Sequence, residues 1–529
     1  MKLRLVFYFL LATGSAMAEP TGGGGLPHFL LADVFGTALA FMAPRTLEPI
    51  PVSDLTVWGL HGITAIDPSL ITAQVQQGNQ AEPPGAEPNA ISLMGPQGPI
   101  LTLPAPGSDD AAAWGDTAAL LAEAAARVSP VVQQAGATGV IQSFFEELFN
   151  HLDPYSRYVP PGAATADRAR RGGVGGVGFS MAYTNGVLSV ADVAPGSPAD
   201  QAGVEVGDLV ESVDGHATRG RSADEVNQLL AGEVGSSAEI ALRHPDGPSA
   251  TIDVVRVLVP PDTVSEALDG DLAVISISGF AGDTGARLQE AVAAAAAMPA
   301  VQGLVLDLRD NRGGLLRQAV GAADVLLSGG TIVSTRGRAP DSNHDFIAAA
   351  GDVSSGLPVV VLVDGRTASA AEILAAALAD NRRAVVVGSA TLGKGLVQTI
   401  LPLPDSGELF VTWSRVVAPR GWPIQGLGVL PQVCTSNGDQ ALDQQLAALA
   451  DGMQPMADAL ARSRAARAPL PSVELLELRA PCPAAEANDS DIAAAHWLID
   501  HPTAYQTALL PPISGANEAG GGGSAALNR

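Results

Sequence analysis

Ser369 and Lys394 are the residues of this sequence best placed to do covalent chemistry. Ser369 follows the apolar segment Val359–Val363 and begins an Ala/Leu-rich helix, where helix N–H groups would face a developing oxyanion. Lys394 lies between Gly393 and Gly395, and the strand-like segment that precedes this loop is fully apolar. A lysine held in such surroundings can lose its proton and serve as general base to a serine. These two residues, 25 positions apart, therefore predict a serine nucleophile with a lysine base.

A glycine pair predicts a further element of such a site. Gly313 and Gly314 follow the apolar segment Leu304–Leu308. A Gly-Gly turn at the end of a parallel strand can aim N–H groups at a reacting carbonyl. We expect the N–H of Ala370 and that of Gly313 or Gly314 to hold the oxyanion. The alternative is an ordinary strand-to-helix turn.

Ser369 and Lys394 also fit two roles that involve no serine nucleophile. Ser369-x-x-Glu372 is a capping box, so Ser369 can simply bind N–H groups at the start of its helix, in a catalytically silent adaptor or scaffold. The segment from Gly388 to Gly395 nearly spells a phosphate-binding P-loop. Gly395, however, replaces the hydroxyl residue that holds Mg²⁺, and the residues that follow predict a strand where a P-loop requires a helix. A nucleotide-binding enzyme is therefore disfavoured.

The elements that must position these residues alternate between two types. Apolar segments of strand length are separated by Ala-rich helices, which predicts an α/β sheet; the segments are Leu272–Ile277, Leu304–Leu308, Val359–Val363 and Ala384–Val387. Earlier in the chain, one helix is predicted over Thr117–Val128. A second runs through Ile141 to Leu152 at helical spacing and stops at Asp153-Pro154. Residues 77–110 are rich in Pro, Gly, Asn and Gln, and we expect loops there.

Composition excludes several classes of protein. The 529 residues are 47% apolar and 16% charged, which is typical of folded domains with a large core. The 29 basic against 55 acidic side chains give a net charge of −26, so nucleic acid and anionic membrane surfaces are poor partners. Two cysteines and eight scattered histidines support neither a thiolate cage nor a histidine metal site.

The first eighteen residues have the features of a secretory signal peptide. Lys2 and Arg4 form a basic start, Leu5–Leu11 an apolar run, and Ala16-Met17-Ala18 a cleavage site. This run is too short to span a bilayer, and no later segment reaches about 20 uninterrupted apolar residues. We therefore expect an exported protein, periplasmic or secreted, that is soluble rather than membrane-spanning.

Residues 172–257 carry features of a peptide-binding domain. Glycines in Gly176-Val177-Gly178-Phe179 let successive N–H groups converge into an anion-binding nest. Ser197-Pro198 predicts a helix start, and Ser222 with Glu225 forms a capping box before a helix that presents Val226, Leu229 and Leu230. A nest beside a groove between strand and helix can capture a C-terminal carboxylate by strand addition. This order of features resembles a PDZ domain, in which we expect Gly176 to Phe179, Val226 and Leu230 to contact the peptide.

Five motifs in order make the chain resemble the C-terminal processing peptidases, or tail-specific proteases, over about residues 130–434. The motifs are LDPYSRY at 152–158, LDLRDNRGGL at 306–315, TASAAEI at 367–373, GKGLVQ at 393–398, and the closing APRG at 418–421 with IQGLGVLP at 424–431. Three positions depart from the family pattern. Arg312 replaces the usual proline, Tyr155 the usual histidine and Gln432 the usual aspartate.

The resemblance implies both a fold and an activity. The implied fold is α/β and multidomain: a PDZ-like β-barrel domain inserted before an α/β, crotonase-like Ser/Lys peptidase core, with helical N- and C-terminal extensions. The implied activity is that of a serine endopeptidase acting on polypeptides with free C-termini, without metal or organic cofactor. Ser369 matches the nucleophile, Lys394 the base and Gln398 a residue that positions the lysine. A homo-oligomer and an activating adaptor both stay open as partners.

The predicted domain boundaries follow from these motifs. They are a signal peptide at 1–18, a largely helical and loop N-terminal extension at 19–130, a helix and the LDPYSRY segment that belong to the peptidase body at 131–171, the PDZ domain at 172–257, the catalytic domain at 258–434 and a helical extension with a mobile end at 435–529. Cys434 and Cys482 bracket the start of that extension. In an oxidising compartment they can pair, and we predict a disulfide that pins the extension to the catalytic domain.

Overall fold

The computed structural model describes residues 26–75, 90–184, 187–194, 196–245, 247–349 and 351–512. The predicted signal peptide and the predicted mobile end at Gly520–Gly523 lie outside these residues. The chain divides into two compact units, one made of Met1–Ala40 with Pro51–Leu152 and the other of Phe41–Ile50 with Asp153–Arg529. None of the described helices has the length and apolar character needed to cross a membrane.

The first unit packs helices with a small antiparallel sheet. Its elements are α1 (His28–Met42), α2 (Val52–Ile66), β1 (Ile71–Val75), β2 (Ala90–Gly95), β3 (Gly98–Pro104), α3 (Ala111–Val128) and α4 (Pro130–Phe149), and the strand order is β1-β2-β3. Helix α3 contains the predicted segment Thr117–Val128, and α4 covers the second from Ile141 but ends at Phe149, short of the predicted Leu152. Helices α2 and α4 pack closely because Gly59 has no side chain: a Cβ there would lie 2.4 Å from the Phe144 ring.

Strands β2 and β3 contradict the prediction that residues 77–110 are loops. The first four residues of β2 are buried, and its Ser92 hydroxyl pairs with that of Thr102 on β3 at 2.7 Å. Prolines suggested loops here, but Pro99 and Pro104 lie on the edge strand β3. An edge strand tolerates proline because a missing N–H on its outer side costs no ladder hydrogen bond.

The second unit begins with a strand, a helix and a β-rich domain. Its elements are β4 (Arg157–Val159), α5 (Pro161–Gly172), β5 (Val174–Gly176), β6 (Phe179–Thr184), β7 (Val187–Val193), α6 (Pro198–Gln201), β8 (Leu209–Val213), β9 (His216–Ala217), α7 (Ala223–Leu230), β10 (Ser237–Arg243), β11 (Ser249–Val255) and β12 (Val257–Val259). Strands pair as β6-β7, β11-β10-β8-β9 and β12-β5. The predicted helix start at Ser197 and the capping box of Ser222 with Glu225 are both present.

The α/β core follows. It consists of β13 (Val264–Asp269), β14 (Leu272–Ile277), α8 (Thr284–Ala296), β15 (Gly303–Asp307), α9 (Leu316–Asp324), β16 (Thr331–Arg336), a 3₁₀ turn (Pro340–Ser342), β17 (His344–Ile347), β18 (Val359–Val363), α10 (Ala370–Asp380), β19 (Ala384–Gly388), β20 (Leu396–Pro402), β21 (Glu408–Val417) and β22 (Val433–Cys434). One sheet has the order β13-β14-β15-β18-β19-β22 and is parallel from β14 onward. A second sheet has the order β17-β16-β21-β20, with β4 paired to β21.

Helices of the C-terminal extension contribute to the apolar clusters on both faces of the parallel sheet. They are α11 (Asp439–Ala450), α12 (Ala457–Ala465), α13 (Ser472–Arg479), α14 (Asp489–Asp500) and α15 (Pro502–Ala508). Leu498 of α14 is buried against a cluster that includes Val305 and Val360, while α8, α9 and α10 contribute to the cluster on the other face. Parallel strands need both faces covered, because both carry apolar side chains. The extension therefore completes the core of the catalytic domain.

In the structure, Cys434 at the end of β22 and Cys482 after α13 form a disulfide across a sequence separation of 48 residues. Closing a loop of that length stabilises a fold by about 4 kcal/mol in the chain-entropy model. We therefore expect no free thiol to titrate in the unreduced, denatured protein and Cys482→Ser to lower the free energy of unfolding by about that amount. Two titrating thiols per chain would contradict the pairing.

Candidate active site

The candidate nucleophile lies on a strained turn between β18 and α10. Ser369 has φ 58° and ψ −116°, a backbone conformation that non-glycine residues rarely adopt. Buried Asp364 holds the loop before it by accepting hydrogen bonds from the N–H groups of Asp310 (3.1 Å), Arg366 (3.0 Å) and Thr367 (2.8 Å). This hydrogen-bond network at the end of β18 therefore holds the strained turn in place. Ser369 itself is half-buried.

Glu372 joins the serine turn to the lysine loop. Its carboxylate is 0% exposed and accepts hydrogen bonds from the N–H groups of Ser369 (2.7 Å), Gly393 (2.7 Å) and Lys394 (2.8 Å), and from the Thr391 hydroxyl. Burial raises the pKa of this carboxyl, and the four donors oppose that rise. The Glu372 half of the predicted capping box is present, since its carboxylate accepts from the Ser369 N–H, but no pattern in the sequence indicates that Glu372 also holds the backbone of Lys394.

Glycines on both sides of Lys394 allow another loop to approach closely. A Cβ at Gly395 would lie 2.2 Å from the Gln425 nitrogen, and one at Gly393, which has φ 87°, would lie 3.0 Å from the Gly426 carbonyl carbon. The Gln425 side chain accepts a hydrogen bond from the Gly395 N–H at 2.9 Å. The lysine loop is thereby clamped between Glu372 and residues 425–426.

The side chain of Lys394 lies in a partly desolvated position. Its Nζ is 5.0 Å from the centre of the Tyr155 ring, the residue that replaces the usual histidine of the LDPYSRY motif. Burial of the ammonium, and after it the charge of Arg157, lower the pKa of Lys394, while Glu372 and Asp153 oppose this shift. The direction favours the neutral amine that a general base requires.

Gln398 lies on β20, close to the lysine loop, but its hydrogen bonds run elsewhere. Its amide donates to the Thr412 hydroxyl at 3.0 Å and to the Leu396 carbonyl at 3.2 Å. Thr412 in turn donates to the Asp153 carboxylate at 2.7 Å. Gln398 is thus connected to the LDPYSRY segment, and its role in positioning Lys394 stays a prediction.

The glycine pair packs directly against the serine turn. A Cβ at Gly313 would lie 2.8 Å from that of Ser369 and 2.9 Å from the Ala370 nitrogen, so only glycine fits. Buried Asn311 fixes the pair: its side-chain oxygen accepts from the Gly313 N–H at 2.8 Å, and its amide donates to the Ile277 carbonyl at 2.6 Å. Asn311 thus engages the Gly313 N–H and leaves that of Gly314 as the candidate donor of the pair, whose oxyanion role stays a prediction.

All the catalytic-domain residues predicted to act together line one cavity of about 680 Å³. They are Gly313, Gly314, Ser369, Ala370, Lys394 and Gln398. The same cavity has apolar walls, among them Ile373, Phe410 and Val416, and charged lining residues that include Arg157, Arg171, Arg312 and Asp167. Next to the serine it can accommodate an apolar side chain of a ligand.

The residues predicted to bind a peptide in the β-rich domain have different environments. Gly178 has φ 91°, and a Cβ there would lie 2.2 Å from the Ser197 Cβ, so the start of β6 requires glycine. Val177 and Phe179 are buried, as are Val226 and Leu230 of α7, at 0% and 3% exposed. The two α7 side chains therefore belong to the core of this domain, and their contact with a peptide stays a prediction.

Arg479, at the end of α13 in the C-terminal extension, also supports the site although no motif predicts it. Its guanidinium donates to the Thr391 carbonyl at 2.8 Å and to the Leu427 carbonyl at 2.6 Å. Thr391 is one of the residues that bind Glu372. The extension thus supports the lysine loop through a residue close to Cys482.

The P-loop alternative fails on structure as well as on sequence. Residues Leu396–Pro402 form strand β20, whereas a P-loop is followed by a helix whose N-terminus binds phosphate. The lysine loop is also closed by residues 425–426, which occupy the space beside its glycines. Nucleotide binding at this loop is therefore excluded by packing.

Comparisons with known proteins cover both parts of this arrangement. The model of peptidase family S41 matches residues 271–435, and that of the PDZ domain matches residues 189–244. A carboxy-terminal-processing protease of Bartonella bacilliformis is 35% identical over 300 residues, which is 56% of this chain and 69% of that protein. A chloroplastic C-terminal processing peptidase of Tetradesmus obliquus is 36% identical over 53% of this chain and 64% of that protein.

Among solved structures, a photosystem II D1 C-terminal processing protease is 33% identical, with a TM-score of 0.33 over 56% of this chain and 80% of that one. The regions that the two family models match are those in which sequence motifs predicted a PDZ domain and an α/β peptidase core. The predicted fold class is therefore confirmed.

Proposed function

This chain belongs to peptidase family S41, the serine peptidases that include the carboxy-terminal processing proteases, and it carries a PDZ domain; on that premise we propose that it is an endopeptidase with a Ser369/Lys394 dyad that selects exported polypeptides by their free C-termini. The observation that best supports this dyad is that Ser369, Lys394 and the Gly313–Gly314 turn line the same cavity. The buried carboxylate of Glu372 holds the two catalytic loops in register.

In the first half of the proposed reaction, Ser369 Oγ attacks the scissile carbonyl carbon. Neutral Lys394 Nζ accepts the hydroxyl proton, and the carbonyl oxygen becomes an oxyanion held by the N–H groups of Ala370 and Gly314. When the C–N bond breaks, the Lys394 ammonium returns the proton to the leaving amine. An acyl-serine and a new N-terminus result.

In the second half, water attacks the acyl-serine and Lys394 takes its proton. Collapse of the second tetrahedral intermediate breaks the ester and returns that proton to Ser369 Oγ. Lys394 must therefore be neutral at the start of each half.

The apolar wall formed by Ile373, Phe410 and Val416 suits a small or apolar substrate side chain beside the scissile bond.

A fluorophosphonate probe tests the dyad against the adaptor alternative. Only an activated serine reacts covalently with such a probe, so we expect labelling of the wild-type chain and none of Ser369→Ala or Lys394→Ala. A catalytically silent scaffold, in which Ser369 only caps α10, would leave all three unlabelled. Labelling of Ser369→Ala would place the nucleophile elsewhere.

Tail recognition through the PDZ domain requires a charged C-terminus. Amidation removes the carboxylate that the nest at Gly176–Phe179 would hold, and hydrogen bonds to a charged group contribute about 1.5–3 kcal/mol. We expect an amidated peptide to be cleaved at least about tenfold less efficiently, in kcat/KM, than its acid form. Equal cleavage of both would contradict tail recognition and leave the dyad untouched.

Exported proteins are the proposed substrates because residues 1–18 have signal-peptide features. In cells that carry Ser369→Ala, uncleaved substrates should accumulate with intact C-termini. Mass spectrometry of C-terminal peptides from the exported fraction would identify them by comparison with wild type.

A further inference from the structure

Strand addition to the PDZ domain needs a free edge of β6, and that edge is occupied by a side chain of α7. One edge of β6 pairs with β7, where Met181 lies opposite Val190. On the other edge, the Met181 N–H donates to the Asn227 side-chain oxygen at 2.9 Å, and the Asn227 amide nitrogen donates to the Met181 carbonyl at 3.3 Å. One side-chain amide thus satisfies both main-chain groups of Met181, as one residue of an added antiparallel strand would.

The position of this contact matters because strands have a period of two. The register shift between Ser180 and Met181 places the additional residue on β7, so β6 keeps its period of two and the main-chain groups of Phe179 and Met181 point to the same edge. A carboxylate held at the Gly176–Phe179 nest would therefore place a residue upstream of the peptide C-terminus opposite Met181. That residue and the Asn227 amide compete for the same two hydrogen bonds.

A second polar contact keeps α7 against the strand. The Tyr183 hydroxyl, two residues beyond Met181, donates to the Arg221 carbonyl just before the helix at 3.2 Å. The apolar side chains beneath the helix, Val226 and Leu230, are buried in the core of the domain. The groove between β6 and α7 is thus closed by its own residues.

We propose that Asn227 sets an affinity threshold for tail binding: it occupies the place of the substrate backbone on β6, and every C-terminal tail must displace it. It lowers the affinity for all tails, so that only those with enough further contacts bind. This inference rests on the proposed tail recognition by the PDZ domain. It adds the residue that a tail competes with and the strand position at which it does so.

The test measures peptide binding by the full chain carrying Ser369→Ala, which leaves the peptide uncut. The probes are a fluorescein-labelled peptide ending in valine with a free carboxylate and its C-terminally amidated form. Asn227→Ala should tighten the Kd of the acid peptide by about three- to tenfold, since the competing bonds are neutral ones. Gln228→Ala, which removes an exposed amide from the same helix, should leave it unchanged. With Ser369 restored, Asn227→Ala should lower KM and leave kcat unchanged.

The outcomes separate this inference from the function on which it rests. Weaker binding by Asn227→Ala would make Asn227 a peptide contact, and unchanged binding would deny it any competing role; either result overturns the proposal. Equal wild-type affinity for acid and amide peptides would instead overturn tail recognition.

Hydrogen exchange at the Met181 amide tests the contact without a peptide: it should be faster in Asn227→Ala than in wild type, and equal rates would contradict the contact.

Discussion

Lys394→Arg is expected to be as inactive toward peptides as Lys394→Ala. An unshifted lysine has a pKa of about 10.4, so at pH 7 only about one in 2,500 would be neutral and able to accept the serine proton. Burial and Arg157 lower the pKa of Lys394, which raises that fraction. A guanidinium keeps its proton at any pH at which the protein works, so arginine conserves the charge and loses the base. Hydrolysis by Lys394→Arg with Ser369 intact would mean that another group is the base.

The sign of the pH dependence follows from the same protonation requirement. The base must be neutral, so kcat/KM should rise with pH through an apparent pKa below the ordinary value for lysine and fall as the pH drops through it. The sequence contains two lysines, Lys2 and Lys394. In protein labelled with ¹⁵N-lysine, the Nζ signal absent from Lys394→Arg therefore belongs to Lys394, and its titration can be compared with the kinetic pKa. An ordinary lysine pKa for this signal would contradict the proposed base.

Glu372→Gln should impair both catalysis and stability, although it changes few atoms. The four donors that converge on the carboxylate need acceptors, and the amide nitrogen of glutamine would face two of them as a donor. A buried unsatisfied pair of this kind costs about 2–5 kcal/mol of folding free energy. Misplacement of the catalytic loops by about 1 Å should lower kcat about 100-fold.

Glu290→Gln provides the matched control for this substitution. Glu290 is exposed on α8, so the same chemical change should leave unfolding and kcat close to wild type. Denaturant unfolding and single-turnover kinetics of both variants measure the two effects separately. Normal kcat in a folded Glu372→Gln would show that the link between Ser369 and Lys394 does not position them.

Local patterns in the sequence determined much of the catalytic sheet. The apolar segments predicted at 272–277, 304–308, 359–363 and 384–387 correspond to β14, β15, β18 and β19, because parallel strands buried on both faces are continuous apolar runs. The Gly313–Gly314 pair and the strand-to-helix junction at Ser369 could also be predicted from the sequence, because each reflects a requirement of the backbone at one point in the chain. These signals placed Ser369, Lys394 and the Gly313–Gly314 turn, which the structure brings to one cavity.

Tertiary structure alone decided which side chains hold that cavity together. Glu372 binds the lysine loop 22 residues away, and Arg479 reaches Thr391 across 88 residues. Neither contact has a local pattern, because hydrogen bonds between loops depend on how the strands are ordered in space and not on the spacing of residues along the chain. The same holds for Asn227, whose neighbour Val226 has the apolar character expected of a groove but is packed in the core. The orientation of α7, and not the type of residue, places the Asn227 amide against the edge of β6 that β7 does not cover.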